Sequence, residues 1–337
     1  MMTRRVPRWL LVVGIVSFVS GCDNVSFGGF DLSLQGPTGD SAQVAVDSVL
    51  TQPPPDPAVS LGPLLYAGVR TGNRARVVPV AEITSDGLRP LPDGAEGEER
   101  TTQILQGRLR LGAELALFFE GGRVGTLVVD EADVVTDIYC APRPGASGPL
   151  LLLPDATAAQ SFLALEAGRA GGLPFGVSQT LSSVYDQRVA SLNLGAEAVP
   201  LVGAVWPPSL LDIRQDLQIL DLPGGEAPAV LATFVYQDRL QVGPASEDAY
   251  GLLVMGEPRG GGFDLAFTWY RPVGTQGKGV PRYFSRLDWD QDGDDEIILE
   301  VLGSESRWFA GLDRGADGWQ TVYQDPCGTP GAQGGGG

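Results

Sequence analysis

The chain has 337 residues and a formal net charge of −18, with 41 acidic residues, 23 basic residues and no histidine. A chain this acidic is a poor candidate for binding nucleic acid or an anionic membrane, because both need a basic face. The lack of histidine excludes Ser-His-Asp and Cys-His catalysis and imidazole-based zinc sites. The apolar fraction of 43%, with 47 Gly and 26 Pro, indicates a real core, many turns and short strands.

Residues 1–21 have the pattern of an export signal. Three arginines near the start precede an apolar run from Trp9 to Val19, which is too short for a transmembrane helix. The following Val19-Ser20-Gly21-Cys22 resembles the bacterial lipobox, in which small residues precede a cysteine that is lipidated. The resemblance implies a lipoprotein that carries acyl chains such as palmitate on Cys22. Its body would lie in the periplasm or at the cell surface, anchored to either envelope membrane.

Residues 22–60 hold Gly-rich and Pro-rich runs and predict a flexible tether. With Cys22 assigned to lipid, Cys140 and Cys327 remain. Two cysteines in an exported protein are more often bridged than free, because the compartment is oxidising. We therefore predict a Cys140–Cys327 disulfide, which would tie the end of the chain to its middle.

Residues 61–145 are predicted to form a β domain, either an antiparallel barrel or a sandwich. Short apolar runs alternate with turn signals such as Thr71-Gly72-Asn73 and Pro92-Asp93-Gly94. The predicted strands are Leu64–Arg70, Arg76–Ile83, Gly87–Leu91, Thr101–Gln106, Glu114–Phe119, Arg123–Val129 and Val134–Cys140.

Residues 146–205 are predicted to be a short helical segment. Pro154-Asp155 offers a start for a helix over Ala156–Ala167, and Gly168 would stop it. Ser178–Leu194 is a second candidate helix, because its apolar residues have near-helical spacing. Both helices are expected to pack on or between the β regions.

Residues 206–328 contain two related β units, and residues 329–337 are predicted to be a disordered Gly-rich tail. Each unit has the order strand, turn, strand, Gly-rich hairpin with an aromatic residue, strand; the units begin near Leu220 and Leu287. Repeated β units of this size are typical of propeller blades. The predicted fold class is therefore mainly β with a short helical segment, an N-terminal antiparallel β barrel or sandwich and C-terminal propeller-like β-repeats.

The stretch from Leu287 to Leu299 reads L-D-W-D-Q-D-G-D-D-E-I-I-L. Carboxylates this close together repel one another unless a cation lies between them. Ca²⁺ takes about six to eight oxygen ligands, and Gly293 allows the sharp turn that such a loop needs. An EF-hand is excluded, because its twelfth position would be Leu299 rather than Glu and both flanks are predicted strands. A metal-free acidic turn is the open alternative.

Residues 287–325 resemble one unit of the FG-GAP/VCBS type, a calcium-binding β-repeat of integrin-like propellers and many exported bacterial proteins. The shared pattern is D-x-D-x-D-G-x-D-E followed by an apolar strand, whereas the Phe-Gly…Gly-Ala-Pro segment of typical repeats is not intact. The resemblance implies Ca²⁺ as the cofactor and a backbone carbonyl ligand at Asp294. The implied side-chain ligands are Asp288, Asp290, Asp292 and Glu296.

These features predict a non-enzymatic, lipid-anchored envelope protein with a binding or scaffold role and a structural Ca²⁺ loop. The expected partners are the membrane, through the N-terminal lipid, and an envelope protein or a glycan; no nucleic acid is expected. Two alternatives stay open. One is a carbohydrate-active or other carboxylate-based enzyme, for which the sequence marks no catalytic residue. The other is a lipoprotein subunit of an envelope assembly complex.

Overall fold

The structure is a computed structural model, and it describes residues 61–136, 138–176, 181–225 and 227–329. Within these ranges the protein is mainly β, as predicted, and its strands form three antiparallel sheets. The predicted signal sequence, the tether with Cys22 and residues 330–337 of the predicted tail lie outside the described residues.

The first sheet has eight strands, and six of them close into a barrel. The strands are β1 Leu64–Thr71, β2 Arg74–Thr84, β3 Gly87–Arg89, β4 Glu114–Phe119, β5 Gly122–Val128, β6 Glu131–Val135, β7 Arg143–Leu152 and β8 Ser161–Glu166. Their order is β3-β2-β1-β8-β4-β5-β7-β6, and the pairing of β2 with β7 closes the ring. The barrel therefore extends to Glu166, past the predicted boundary at residue 145.

The structure corrects the prediction of a helix over Ala156–Ala167. A short 3-10 turn, Pro154–Ala158, is followed there by strand β8. In β8, Phe162 belongs to the core inside the barrel, whereas Leu163 belongs to the core on its outer side. Both faces of the strand are buried, so its residues form a continuous apolar run, which periodicity alone does not distinguish from a buried helix.

Other predicted elements also differ from the structure in type or in extent. The predicted strand Thr101–Gln106 is instead helix α1, Gly94–Gln103, continued by a π-helical turn over Ile104–Arg108. The predicted strand Val134–Cys140 ends at Val135, and strand β7 was not predicted. The second predicted helix, Ser178–Leu194, begins later and runs further, because α2 spans Tyr185–Leu201.

The other two sheets are four-stranded antiparallel meanders. The outer sheet, in the order β12-β11-β10-β9, consists of β9 Arg214–Leu220, β10 Ala229–Tyr236, β11 Tyr250–Arg259 and β12 Gly262–Pro272. The inner sheet, in the order β13-β14-β15-β16, consists of β13 Val280–Leu287, β14 Glu296–Leu302, β15 Arg307–Gly315 and β16 Gly318–Gln324. Short helices α3, Leu210–Ile213, and α4, Val273–Gln276, flank the outer sheet. The two sheets pack as a sandwich, and a propeller-like arrangement stays a prediction.

The layers follow from strands that are buried on both faces. In β1, Tyr66 lies in the barrel interior, whereas Leu65 lies in the core shared with the inner sheet. In β14, Ile298 joins that shared core, whereas Ile297 packs toward the outer sheet. Helix α2 covers the far face of the outer sheet. The order of layers is thus barrel, inner sheet, outer sheet and α2.

Candidate metal centre

The acidic loop, residues 288–295, connects β13 to β14 at the point where Leu287 pairs with Glu296. The carboxylates of the loop accept hydrogen bonds from backbone N–H groups of the same loop and so stabilise its turns. The N–H of Gly293 donates to Oδ2 of Asp288 over 3.1 Å, and the N–H of Asp292 donates to Oδ1 of Asp290 over 3.1 Å. Gly293 has φ +104°, a conformation that glycine adopts without steric cost.

Four carboxylates converge at this loop. One oxygen from each residue lies within 4.8 Å of the others, and the four residues are Asp288, Asp290, Asp292 and Glu296. We call this set the carboxylate cluster. It is the set of side-chain ligands that the sequence predicted, and its spacing could hold a metal ion. Carboxylate oxygens at such distances suit a hard cation.

Glu296 is the buried member of the cluster, with only 2% of its surface exposed. Its Oε2 accepts a 3.0 Å hydrogen bond from the backbone N–H of Trp289. Its Oε1 is buried and has no hydrogen-bond partner among the described residues, and Oδ1 of Asp288 is in the same situation. An unpartnered buried carboxylate oxygen is costly, so both atoms indicate a group that would bind them.

Burial raises the pKa of Glu296 to about 9; the hydrogen bond from Trp289 opposes this shift, and the charges of Asp290 and Asp288 add to it. Burial also raises the pKa of Asp288, while backbone N–H groups of the loop oppose that rise. Both shifts mean that the negative charge is unfavourable in the protein alone. A cation bound between the carboxylates would supply the missing compensation.

Asp313 lies near the cluster, and sequence reasoning missed it. It follows Leu312, which pairs with Ile297 across the β14–β15 ladder. Burial raises the pKa of Asp313, and the charges of Asp290 and Asp292 raise it further. Only the strand pairing brings this residue to the loop, and its one sequence signal was an acidic residue at the end of an apolar run.

Two further loop residues have different positions. The backbone N–H of Asp294 donates to Oδ1 of Asp292 over 2.9 Å, and its predicted role as a carbonyl ligand stays a prediction. Asp295 is outside the cluster and forms a buried ion pair with Arg286. Nε of Arg286 also lies 3.4 Å from Oε2 of Glu120 at the β4–β5 turn, so Asp295 and Glu120 share one guanidinium.

The loop is attached to the barrel as well as to its own sheet. The side chain of Trp289 is buried in the core between the barrel and the inner sheet. Arg169, which follows β8, donates a 3.2 Å hydrogen bond to the carbonyl of Trp289. Nε2 of Gln291 donates to the carbonyl of Arg169, also over 3.2 Å. The conformation of the loop is therefore coupled to the contact between barrel and inner sheet.

A second set of contacts ties the end of the inner sheet to the barrel. The structure joins Cys140 and Cys327 by a disulfide whose Cα atoms are 6.2 Å apart. Close by, the buried guanidinium of Arg143 pairs with Asp325 over 2.5 Å. The hydroxyl of Tyr323 donates to the carbonyl of Val80 in β2 over 2.7 Å.

None of the helices in the described ranges combines the length and the apolar character that crossing a membrane requires. The chain matches no protein-family model, no curated protein and no solved structure. The function of the loop is therefore inferred from its own geometry and from its motif.

Proposed function

We propose that the acidic loop binds Ca²⁺ and that the ion stabilises the contact between the inner sheet and the barrel. The observation that carries this proposal is Glu296, whose Oε1 is buried and unpartnered within a cluster of four carboxylates. All the ligand atoms would be oxygens, which suit a hard cation. A loop that supplies several carboxylates fits Ca²⁺ better than Mg²⁺, which usually keeps most of its waters.

The proposed role of the whole protein is that of a binding or scaffold protein held at the bacterial envelope by lipid on Cys22. The lipobox-like Val19-Ser20-Gly21-Cys22 supports the anchor. The Cys140–Cys327 disulfide suits an oxidising compartment outside the cytosol. The FG-GAP/VCBS-like motif supports a Ca²⁺-dependent exported protein. Extracellular calcium modules bind the ion with dissociation constants of roughly 10⁻⁴–10⁻³ M.

The enzymatic alternative would need two carboxylates that face a substrate. Glu120 and Asp295 do line a cleft of about 390 Å³ beside the loop. Both carboxylates, however, pair with Arg286, and Oε2 of Glu120 also accepts a hydrogen bond from the hydroxyl of Tyr283 over 2.6 Å. This arrangement favours a structural role for the pair.

The test is thermal unfolding of the full-length protein in detergent, first with EDTA and then with about 5 mM Ca²⁺. The melting temperature of the wild type should rise by about 5 °C, because a ligand of the folded state stabilises it by mass action. Asp290→Ala should abolish the rise. Asp317→Ala, which removes an exposed carboxylate outside the cluster, is the matched control and should keep it. A wild type that does not respond to Ca²⁺ would refute the proposal.

A further inference from the structure

A cavity of about 530 Å³ lies between α1, the first residues of β7 and the C-terminal turn Pro326–Gly328. It shares no residue with the acidic loop. Its volume falls within the range of about 300–1,000 Å³ that small-molecule sites occupy.

The cavity is lined mainly by apolar side chains. These apolar side chains include Leu91, Ile104, Leu105, Val134, Pro144 and Pro326. Two buried arginines add polar atoms: Arg143 pairs with Asp325 over 2.5 Å, and Arg100 donates to Oε1 of Gln103 over 3.3 Å. Nε of Arg143 is buried and has no acceptor among the described residues. An apolar lining with a few polar groups is typical of a ligand site.

Three acidic residues, Asp93, Glu98 and Asp325, and two basic residues, Arg100 and Arg143, line the cavity; this excess of negative charge disfavours an anion. Arg143 is already neutralised by Asp325, and both side chains are buried. Asp93 and Glu98 line the cavity from exposed positions on the α1 side. The chain as a whole carries a formal charge of −18. The negative charge of the protein would repel an anionic ligand on approach. An uncharged apolar ligand would not be repelled, and the burial of its apolar surface would favour binding.

The walls of the cavity are held from both sides. On one side, the π-helical turn over Ile104–Arg108 inserts Ile104 into the barrel core, and such turns are frequent at functional sites. On the other side, the disulfide of Cys327 with Cys140 and the Arg143–Asp325 pair fix the C-terminal turn. Walls fixed in this way favour binding, because less ordering entropy is lost when a ligand enters.

We propose that this cavity binds an uncharged, mainly apolar small molecule. The body of this molecule lies against Leu105 and Val134, which line the cavity. The proposal does not depend on the acidic loop, so each site is tested separately.

The test uses N-phenyl-1-naphthylamine, an uncharged fluorescent probe, and its anionic relative 1-anilinonaphthalene-8-sulfonate. Binding to the full-length protein is followed by energy transfer from tryptophan to the probe, against a protein-free blank with the same detergent. We expect saturable binding of the uncharged probe, and at least about tenfold weaker binding of the anionic one. Leu105→Trp, which fills the cavity, should weaken binding by at least about tenfold.

Gln106→Trp is the matched control, because this neighbour is exposed and does not line the cavity; its affinity should stay within about twofold of the wild type. If Leu105→Trp does not fold, as judged by circular dichroism, Val134→Trp fills the cavity from the opposite wall instead. The proposal is overturned if the uncharged probe does not saturate, if the filled variant binds as well as the wild type, or if the anionic probe binds equally tightly.

Discussion

The backbone N–H of Trp289 donates a 3.0 Å hydrogen bond to Oε2 of Glu296. The side chain of Trp289 lies in the core between the barrel and the inner sheet, while Glu296 is the buried carboxylate of the cluster. One bond thus joins the candidate cation site to a loop residue that is buried in this core. A cation that fixes Glu296 would, through this bond, also fix Trp289 and the contact with the barrel.

Glu296→Gln should remove the stabilisation by Ca²⁺ while leaving the stability of the cation-free protein nearly unchanged. Because burial raises the pKa of Glu296 to about 9, the cation-free protein carries a neutral side chain at pH 7, and glutamine resembles that form. We expect the free energy of unfolding in EDTA to change by less than about 1 kcal/mol, and the stabilisation by Ca²⁺ to disappear. Denaturant unfolding with EDTA and with Ca²⁺ measures both. A variant that keeps the full Ca²⁺ effect would exclude Glu296 as a ligand.

Trp289→Ala should destabilise the protein by about 3–5 kcal/mol, because it removes a large buried side chain and leaves a cavity. Trp289 is 2% exposed, whereas Trp206 is 56% exposed. Trp206→Ala is therefore the matched control and should change the free energy of unfolding by less than about 0.5 kcal/mol. Equal effects of the two variants in denaturant unfolding would contradict the assigned burial of Trp289.

The disulfide closes a long loop, because Cys140 and Cys327 are 187 residues apart in sequence. Replacing both cysteines by serine should lower the free energy of unfolding by about 2–5 kcal/mol, chiefly because the unfolded chain becomes less constrained. Reductant should have a similar effect on the wild type and none on the double variant. Two free thiols in the denatured, unreduced protein would show that the bridge does not form.

Substitutions of Arg143 and Asp325 should have strongly non-additive effects on the free energy of unfolding, because the two side chains form a buried ion pair. Both side chains are almost fully buried, at 6% and 2% exposed. Arg143→Met alone should cost about 3–5 kcal/mol, because Asp325 then keeps an uncompensated buried charge.

The double variant Arg143→Met/Asp325→Asn should be more stable than Arg143→Met, because the second change removes that charge. A double-mutant cycle by denaturant unfolding measures the coupling between the two side chains. Additive single effects would mean that the pair is not a buried ion pair in solution.

Several local features could be predicted because their causes are local. Short apolar runs bounded by turn signals identified β1, β2, β4 and β5, and the strands around the acidic loop. The spacing of Asp288, Asp290, Asp292 and Glu296 indicated one cluster, and the structure brings these four oxygens together. Hydrogen bonds between the carboxylates and the backbone of the loop close it. Its geometry therefore depends on residues that are close together in sequence.

Errors appeared where a segment has two buried faces or a distant partner. β8 is covered on both sides, so Ser161–Glu166 lost the alternation that marks a strand and was predicted as a helix. Helix α1 buries only Arg100, so no apolar stripe identified it. Asp313 approaches the loop only because β15 pairs with β14, and strand pairing over this distance cannot be derived from spacing.

By itself, the sequence of this protein determined the mainly β composition, the acidic loop with its four carboxylates and the two cysteines available for a bridge. These depend on residue type and short-range spacing, which act through local backbone geometry and charge. The tertiary structure alone decided that the barrel closes through β2 and β7, that Trp289 is buried against it, and that a cavity lies beside Arg143. Such features depend on which apolar faces meet, and that is settled by the packing of the whole chain.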